Sequence, residues 1–134
     1  MQLQDNVRAF LSEPRFAVLA TTNADGTSQQ SVVWYDLDGD DILINTRAGR
    51  VKDTNLRRDG RASLCVPDTY RYVTLEGPVE IDDDQGVAQA DIRRLAIRYD
   101  GEESGNRQAE EKFSRQQRVT IHLKITKVIV HELA

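Results

Sequence analysis

Cysteine is almost missing from this chain: Cys65 stands alone among 134 residues. One thiol excludes an internal disulfide framework and any multi-cysteine metal site. Cys65 lies in the apolar run "ASLCV", which reads as a buried small hydrophobe. Histidine is scarce too. His122 and His131 sit on the final apolar segments with no further ligands at metal-binding spacing. His122 alternates with apolar neighbours and reads as a structural histidine, and no metal is expected. There is no GxGxxG and no P-loop, and no Ser/His/Asp arrangement can be argued from spacing. No apolar run approaches the roughly 20 residues of a membrane helix. The start, "MQLQDNVRAFLSEPRF", has no apolar signal-peptide core, so a cytoplasmic protein without membrane contact is expected.

What is present is a soluble, globular composition, 39% hydrophobic and 30% charged, with net charge −4. The acidic balance argues against nucleic acid as a partner, since that surface needs a basic face. The length suits one domain spanning 1–134.

Leu3, Val7, Phe10 and Leu11 share a helical face, and Pro14 ends that helix. "FAVLATT" then reads as a strand. "NADG" is a hairpin turn, "SQQSVVWYDL" a second strand, "DGD" another turn and "DILINT" a third strand. "DLDGDD" resembles a calcium loop but lacks its terminal glutamate, and a hairpin turn explains it more simply. A short helix follows over Arg50–Arg58. "RASLCV" is a strand broken at Pro67 and Asp68. "YRYVTLEGPVEI" is a long strand in which Gly77-Pro78 signals a bulge or an edge bend. Asp83 or Asp84 caps a helix that places Ala88, Ile92, Leu95, Ala96 and Tyr99 on one face. "DGEESGNRQAEEK" reads as a polar loop leading to a short helix near Phe113. The final run alternates at Val119, Ile121, Leu123 and Ile125, then shifts phase, so a bend or a second strand is expected near Thr126-Lys127. Consecutive hairpins without βαβ units predict a mainly-β fold of six to seven antiparallel strands closed as a small barrel, with helices inserted.

Two segments stand out. Between Arg47 and Arg61 lie six cations (Arg47, Arg50, Lys52, Arg57, Arg58, Arg61) and two acids (Asp53, Asp59). Asn45 and Thr46 end a strand, small Ala48 and Gly49 follow, and then a helix begins. Helix N-termini carry free N–H groups and a positive dipole end, which suit an anion. Arg50 and Lys52 can face one phosphate only if Arg50 lies in the loop ahead of the helix, because i and i+2 diverge on a helix. A solvated basic helix face is the alternative. Arg57, Arg58 and Arg61 read as ordinary surface charge, and Arg47 is left open. The second segment, "QQSVVWYD", holds the only tryptophan and is read as running antiparallel to "ILINT". Its backbone could line a flat ligand. Otherwise Val32 and Trp34 are simply core.

Together these segments carry a resemblance. "VLATTNADGTSQQSVVWYDLDGDDILINTRAGRVKDTNLRRDGRASLCV" resembles the pyridoxamine 5′-phosphate oxidase-like split β-barrel superfamily, and within it the branch that uses the deazaflavin coenzyme F420. Thr46, Gly49, Arg50, Lys52, Asn55 and Leu56 match that branch's pattern T–x–x–G–R–x–K–x–x–N–L. The resemblance implies a homodimeric split-barrel oxidoreductase that transfers hydride between reduced F420 and a small electron-poor substrate. It implies a phosphate held by Arg50 and Lys52, with Asn45, Thr46, Val51 and Asn55 nearby. Backbone at Ser31, Val32, Val33 and Trp34 would line the ring system. An FMN-dependent oxidase or reductase, or a non-catalytic flavin, deazaflavin or tetrapyrrole binder, is the alternative. The chain ends "IVHELA" and lacks the C-terminal arginine motif of pyridoxamine phosphate oxidases proper. No catalytic acid is identified.

Overall fold

A computed structural model describes residues 1–133. Eight strands, rather than six to seven, form one antiparallel sheet with four α-helices. The order is α1 (Asp5–Ser12), β1 (Ala17–Thr22), β2 (Ser28–Val33), β3 (Asp36–Asp38), β4 (Asp41–Arg47), α2 (Val51–Arg58), β5 (Arg61–Asp68) and β6 (Arg71–Asp82). There follow α3 (Gln85–Asp100), α4 (Glu102–Glu111), a 3₁₀ turn (Phe113–Arg115), β7 (Arg118–Leu123) and β8 (Lys127–His131). The sheet path runs β2-β1-β5-β6-β7-β4-β3, and β8 pairs with β6.

The two ends of that path are neighbours in the chain. β2 stops at Val33 and β3 starts at Asp36, so only Trp34 and Tyr35 separate them. The sheet must curl until its ends meet, which makes the split barrel. The single strand expected over "SQQSVVWYDL" is thus two: β2 pairs with β1, and β3 pairs with β4. The expected pairing of "QQSVVWYD" with "ILINT" holds only for β3. The barrel interior is filled by Leu19, Ile42, Ile44, Leu64, Leu75, Ile121 and Leu123, all fully buried, and α1 plugs one end with Val7, Phe10 and Leu11. Each such side chain contributes about 1.5–3 kcal/mol through burial.

A bulge sets the barrel's bend. Tyr72–Glu76 of β6 pair with β8, and Val79–Asp82 of the same strand pair with β7. Between these ladders Lys124, Ile125 and Thr126 face only Gly77 and Pro78, so one residue is extra. This is the phase shift seen in the sequence. Gly77 is required because a Cβ there would lie 1.9 Å from the Lys124 carbonyl oxygen.

Three local expectations are corrected. β5 continues through Pro67 to Asp68, because β1 pairs only with Ser63–Cys65 and the missing Pro67 N–H falls beyond it. Cys65 is half-buried on the outer face, since strand alternation turns Leu64 and Val66 inward instead. The polar segment after Gly101 is helix α4 rather than a loop. Its buried residues are only Gly105 and Ala109, too small to show a periodic apolar face. A Cβ on Gly105 would meet the Ile97 nitrogen at 2.5 Å, so the glycine lets α4 lie close on α3. Asp84 caps α3 by accepting the Val87 N–H. Among the described residues no helix is long and apolar enough to cross a membrane.

Replacing Gly77 with alanine should cost about 2–3 kcal/mol of stability, because the backbone must part to admit the methyl group. Urea unfolding measures it, and an unchanged midpoint would refute the close-packed bulge.

Candidate functional site

β4 and α2 are joined by Ala48, Gly49 and Arg50. Gly49 has φ +85°, a conformation costly for other residues, and it turns the chain off the strand. Arg50 is the N-cap of α2 in extended geometry, with no side-chain cap. It therefore lies in the loop ahead of the helix, as the i, i+2 argument required. The N–H groups of Val51, Lys52 and Asp53 have no acceptor among the described residues. Three free donors at an uncapped, positive helix end make a seat for an anion.

Asp53 holds this turn in place. Its buried carboxylate accepts the Gly49 N–H at 2.8 Å and Arg57 Nε at 2.8 Å. Arg57 also donates to Asp83. Arg57 is thus a clasp rather than ordinary surface charge, and Arg58 likewise donates to the Thr22 carbonyl and Asn55 Oδ1. Both carboxylate oxygens of the one acid inside the turn are thus engaged.

The seat opens into a cleft of about 290 Å³ lined by Val32, Val33, Trp34, Asn45, Thr46, Arg50 and Lys52. These come from the two segments singled out in the sequence. Lys52 Nζ donates to Ser31 Oγ at 3.1 Å, so Ser31 reaches the cleft through the lysine. Burial, reinforced by Arg50 and Arg118, pulls Lys52 below the ordinary lysine pKa. Three expected residues do not line the cleft: Val51, Asn55 and Ser31, which touches it only through Lys52. The Val51 side chain is 55% exposed to solvent and offers the site only its backbone. Asn55 is buried, and its amide donates to Thr21 Oγ1 (3.1 Å) and Asn23 Oδ1 (2.9 Å), tying α2 to the end of β1. Val32 is 67% exposed, so it is not core. Trp34 packs instead against a second apolar cluster of Ile92, Leu95, Ala96 and Phe113, outside the barrel.

Aromatic stacking fixes the tryptophan. Its ring lies 5.2 Å from that of Tyr99 at an interplanar angle of 9°, and Phe16 stacks nearby on Tyr99 at 5.8 Å. The Tyr99 hydroxyl accepts the Tyr35 N–H at 3.2 Å and donates to the Arg15 carbonyl at 2.6 Å.

Sequence reasoning missed the far wall. Phe16, Arg47, Ile92, Leu95, Phe113 and Arg118 also line the cleft. Arg118 opens β7 opposite Arg47 of β4, a pairing that no local pattern encodes. It is 8% exposed. Its Nε donates to Asn45 Oδ1 at 3.0 Å, and its guanidinium lies 4.9 Å from the Phe113 ring centroid. Burial, then Arg50 and Arg47, pulls its pKa down to about 10, which leaves it cationic at neutral pH. Among the described residues no carboxylate lies within 4.0 Å of Arg47, Arg50, Lys52 or Arg118. On a chain of net charge −4, these four cations share one acid-free cleft. No group of three or more His, Cys, Asp or Glu converges among the described residues to hold a metal.

A split barrel with a cationic cleft at a strand-to-helix turn narrows the comparison with known proteins. The family model for pyridoxamine 5′-phosphate oxidase matches residues 3–132. The chain belongs to that family. It is 32% identical over 100 residues to the F420H2-dependent biliverdin reductase of Mycobacterium tuberculosis, covering 73% of each protein. A solved F420 reductase is 26% identical with a TM-score of 0.76, over 95% of this chain and 98% of that one. A conserved hypothetical protein of M. tuberculosis shares the fold at TM-score 0.82 and 24% identity, over 97% of this chain and 84% of the other.

Asp53→Ala should release both the Gly49 N–H and Arg57. Loss of a buried charged acceptor costs about 1.5–3 kcal/mol, readable by urea unfolding. A variant as stable as the parent would contradict the clasp.

Proposed function

We propose that this chain is an F420-dependent oxidoreductase acting on a small electron-poor acceptor. The observation that carries this reading is the cationic seat at the α2 N-terminus, whose one acid, Asp53, is engaged by the Gly49 N–H and Arg57, opening into an acid-free cleft walled by Trp34. The likeness to an F420H2-dependent biliverdin reductase supports the choice of cofactor. The residues fit such a group. Arg50 supplies a planar fork, Lys52 a point charge oriented by Ser31, and Val51, Lys52 and Asp53 their free N–H groups, all suited to a phosphate. Thr46 and Asn45 stand at the strand end beside them. Asn55 acts at one remove, holding α2 against β1. The Val32–Trp34 segment and the indole face provide a flat wall, while Ile92, Leu95 and Phe113 add apolar surface to the cleft. Reduced F420, when bound, supplies the hydride. Biliverdin, the acceptor named for the mycobacterial relative, is the first compound to assay.

Phosphate ligands alone suit FMN as well, so titration decides. F420 should quench Trp34 fluorescence with micromolar affinity, and tight FMN binding without F420 binding would overturn the reading. Arg50→Ala and Lys52→Ala should each weaken F420 binding by about 1.5–3 kcal/mol, roughly tenfold to a hundredfold. Unchanged affinity in both variants removes the phosphate seat.

We further assign a homodimer built on the outer face of the sheet. Cross-strand register lines up Val32, Val18, Cys65, Thr74 and Ile129 in one row over five strands. Val32 ends this row at the cleft, and Ile129, at its other end, is 39% exposed. A row this apolar suits burial against a second copy. The family resemblance implies the same. Sedimentation equilibrium should give a dimer for the parent and a monomer for the Val18→Asp, Ile129→Asp double variant. A monomeric parent at micromolar concentration rejects the assignment.

A further inference from the structure

The phosphate seat accounts for Arg50 and Lys52 but leaves Arg118 unexplained. This arginine is 8% exposed, has no carboxylate partner among the described residues, and faces the like charges of Arg50 and Arg47. Burying a cation this way is costly unless something compensates it. The fold holds it there deliberately. Asn45 Oδ1 accepts its Nε at 3.0 Å, and Gln116 Oε1 accepts its Nη1 at 2.7 Å. Behind Asn45 lies a second tier. The Asn45 amide donates to the Ala88 carbonyl at 2.9 Å and to Thr120 Oγ1 at 3.4 Å, and Thr120 Oγ1 donates to Asp91 Oδ2 at 2.7 Å. The nearest acid of this chain of contacts therefore binds a hydroxyl and leaves the guanidinium unneutralised. Asp91 nevertheless fixes Thr120, which helps fix Asn45, which aims Arg118.

The far end of the guanidinium is free. Nη2 makes no hydrogen bond to the described residues, and no buried side-chain nitrogen among them lacks a partner, so Nη2 keeps access to solvent, on a residue that lines the cleft. The Phe113 ring lies 4.9 Å from the guanidinium, and Ile92 and Leu95 line the same cleft. A fixed guanidinium edge set in apolar and aromatic walls suits a carboxylate carried on a flat, conjugated body.

We propose that Arg118 is the receptor for a carboxylate of the acceptor substrate, with Asn45, Thr120 and Asp91 as its positioning relay. The substrate class is a planar conjugated acid. This inference rests on the oxidoreductase reading above, in that the occupant is called a substrate.

The test separates substrate carboxylate from cofactor phosphate. Biliverdin serves as the planar dicarboxylic probe and its dimethyl ester as the neutral match, with binding to the protein followed by Trp34 fluorescence and F420 affinity measured in parallel. The parent should bind the diacid at least tenfold more tightly than the ester. Arg118→Gln should abolish that preference while lowering F420 affinity far less than Arg50→Ala does. Arg118→Lys keeps the charge but not the fork, and guards against a folding defect. It should retain part of the preference. A parent that does not prefer the diacid overturns the proposal. So does an Arg118→Gln variant that loses F420 affinity as severely as diacid affinity, since Arg118 would then serve the phosphate. If the preference stands and is lost in Arg118→Gln, yet F420 does not bind, the carboxylate seat survives and the cofactor reading falls.

Discussion

The clasp that Arg98 makes around the Trp34–Tyr35 crossover holds the rest of the structure together. Its guanidinium donates to the carbonyls of Tyr35, Leu11, Ser12 and Glu13 at 2.9–3.1 Å. It thereby caps the exposed carbonyl end of α1, where a cation also suits the dipole. Tyr35 answers from inside the barrel. It is fully buried, and its hydroxyl sits 3.1 Å from the carbonyls of both Leu11 and Glu13. Burial drives its pKa up to about 12, so it stays a neutral donor throughout the working range. One residue earlier, Trp34 is turned outward onto Tyr99. The same two residues thus close the barrel and put an aromatic wall in the cleft. Alternation across an extended chain makes these two outcomes one constraint.

Charge is distributed with the same economy. Several acids are engaged at the periphery: Asp40 with Arg8, Asp68 with Arg71 and Arg15, Asp36 with Arg94 and Arg98, Asp41 with Lys124. Exposed pairs of this kind contribute little stability. The cleft, by contrast, gathers four cations and no acid. Desolvated walls strengthen the field of the cations there, which raises its selectivity for anions beyond what net charge suggests.

Much of the fold was legible because local chemistry and tertiary environment agree. "NADG" makes its hairpin, Asp84 caps α3, and Arg50 precedes α2. Even the bulge announced itself, as Gly77-Pro78 on one strand and a shift of apolar phase on the other. Helix α4 did not, because its contact with α3 is made by a glycine and an alanine that carry no periodic signal. The split of β2 from β3 was hidden for the opposite reason. "SVVWYDL" is uniformly strand-like, and only barrel closure decides where it must turn.

The candidate site divides along the same line. Ser31 to Trp34 and Asn45 to Lys52 were readable, since a glycine turn, a strand end and a helix start lie within a few residues of one another. Asn55 belonged to the same pattern, yet its amide faces Thr21 and Asn23. Arg118 looked like any strand residue. By itself the sequence determined most of the barrel's strands, the turn that bares α2's N–H groups, and the cations placed there, because each depends on residues adjacent in the chain. Only the tertiary structure decided that β7 lies against β4. That long-range pairing brings Arg118 beside Asn45 and α3 over both, and it strips water from a cation that no acid among the described residues meets.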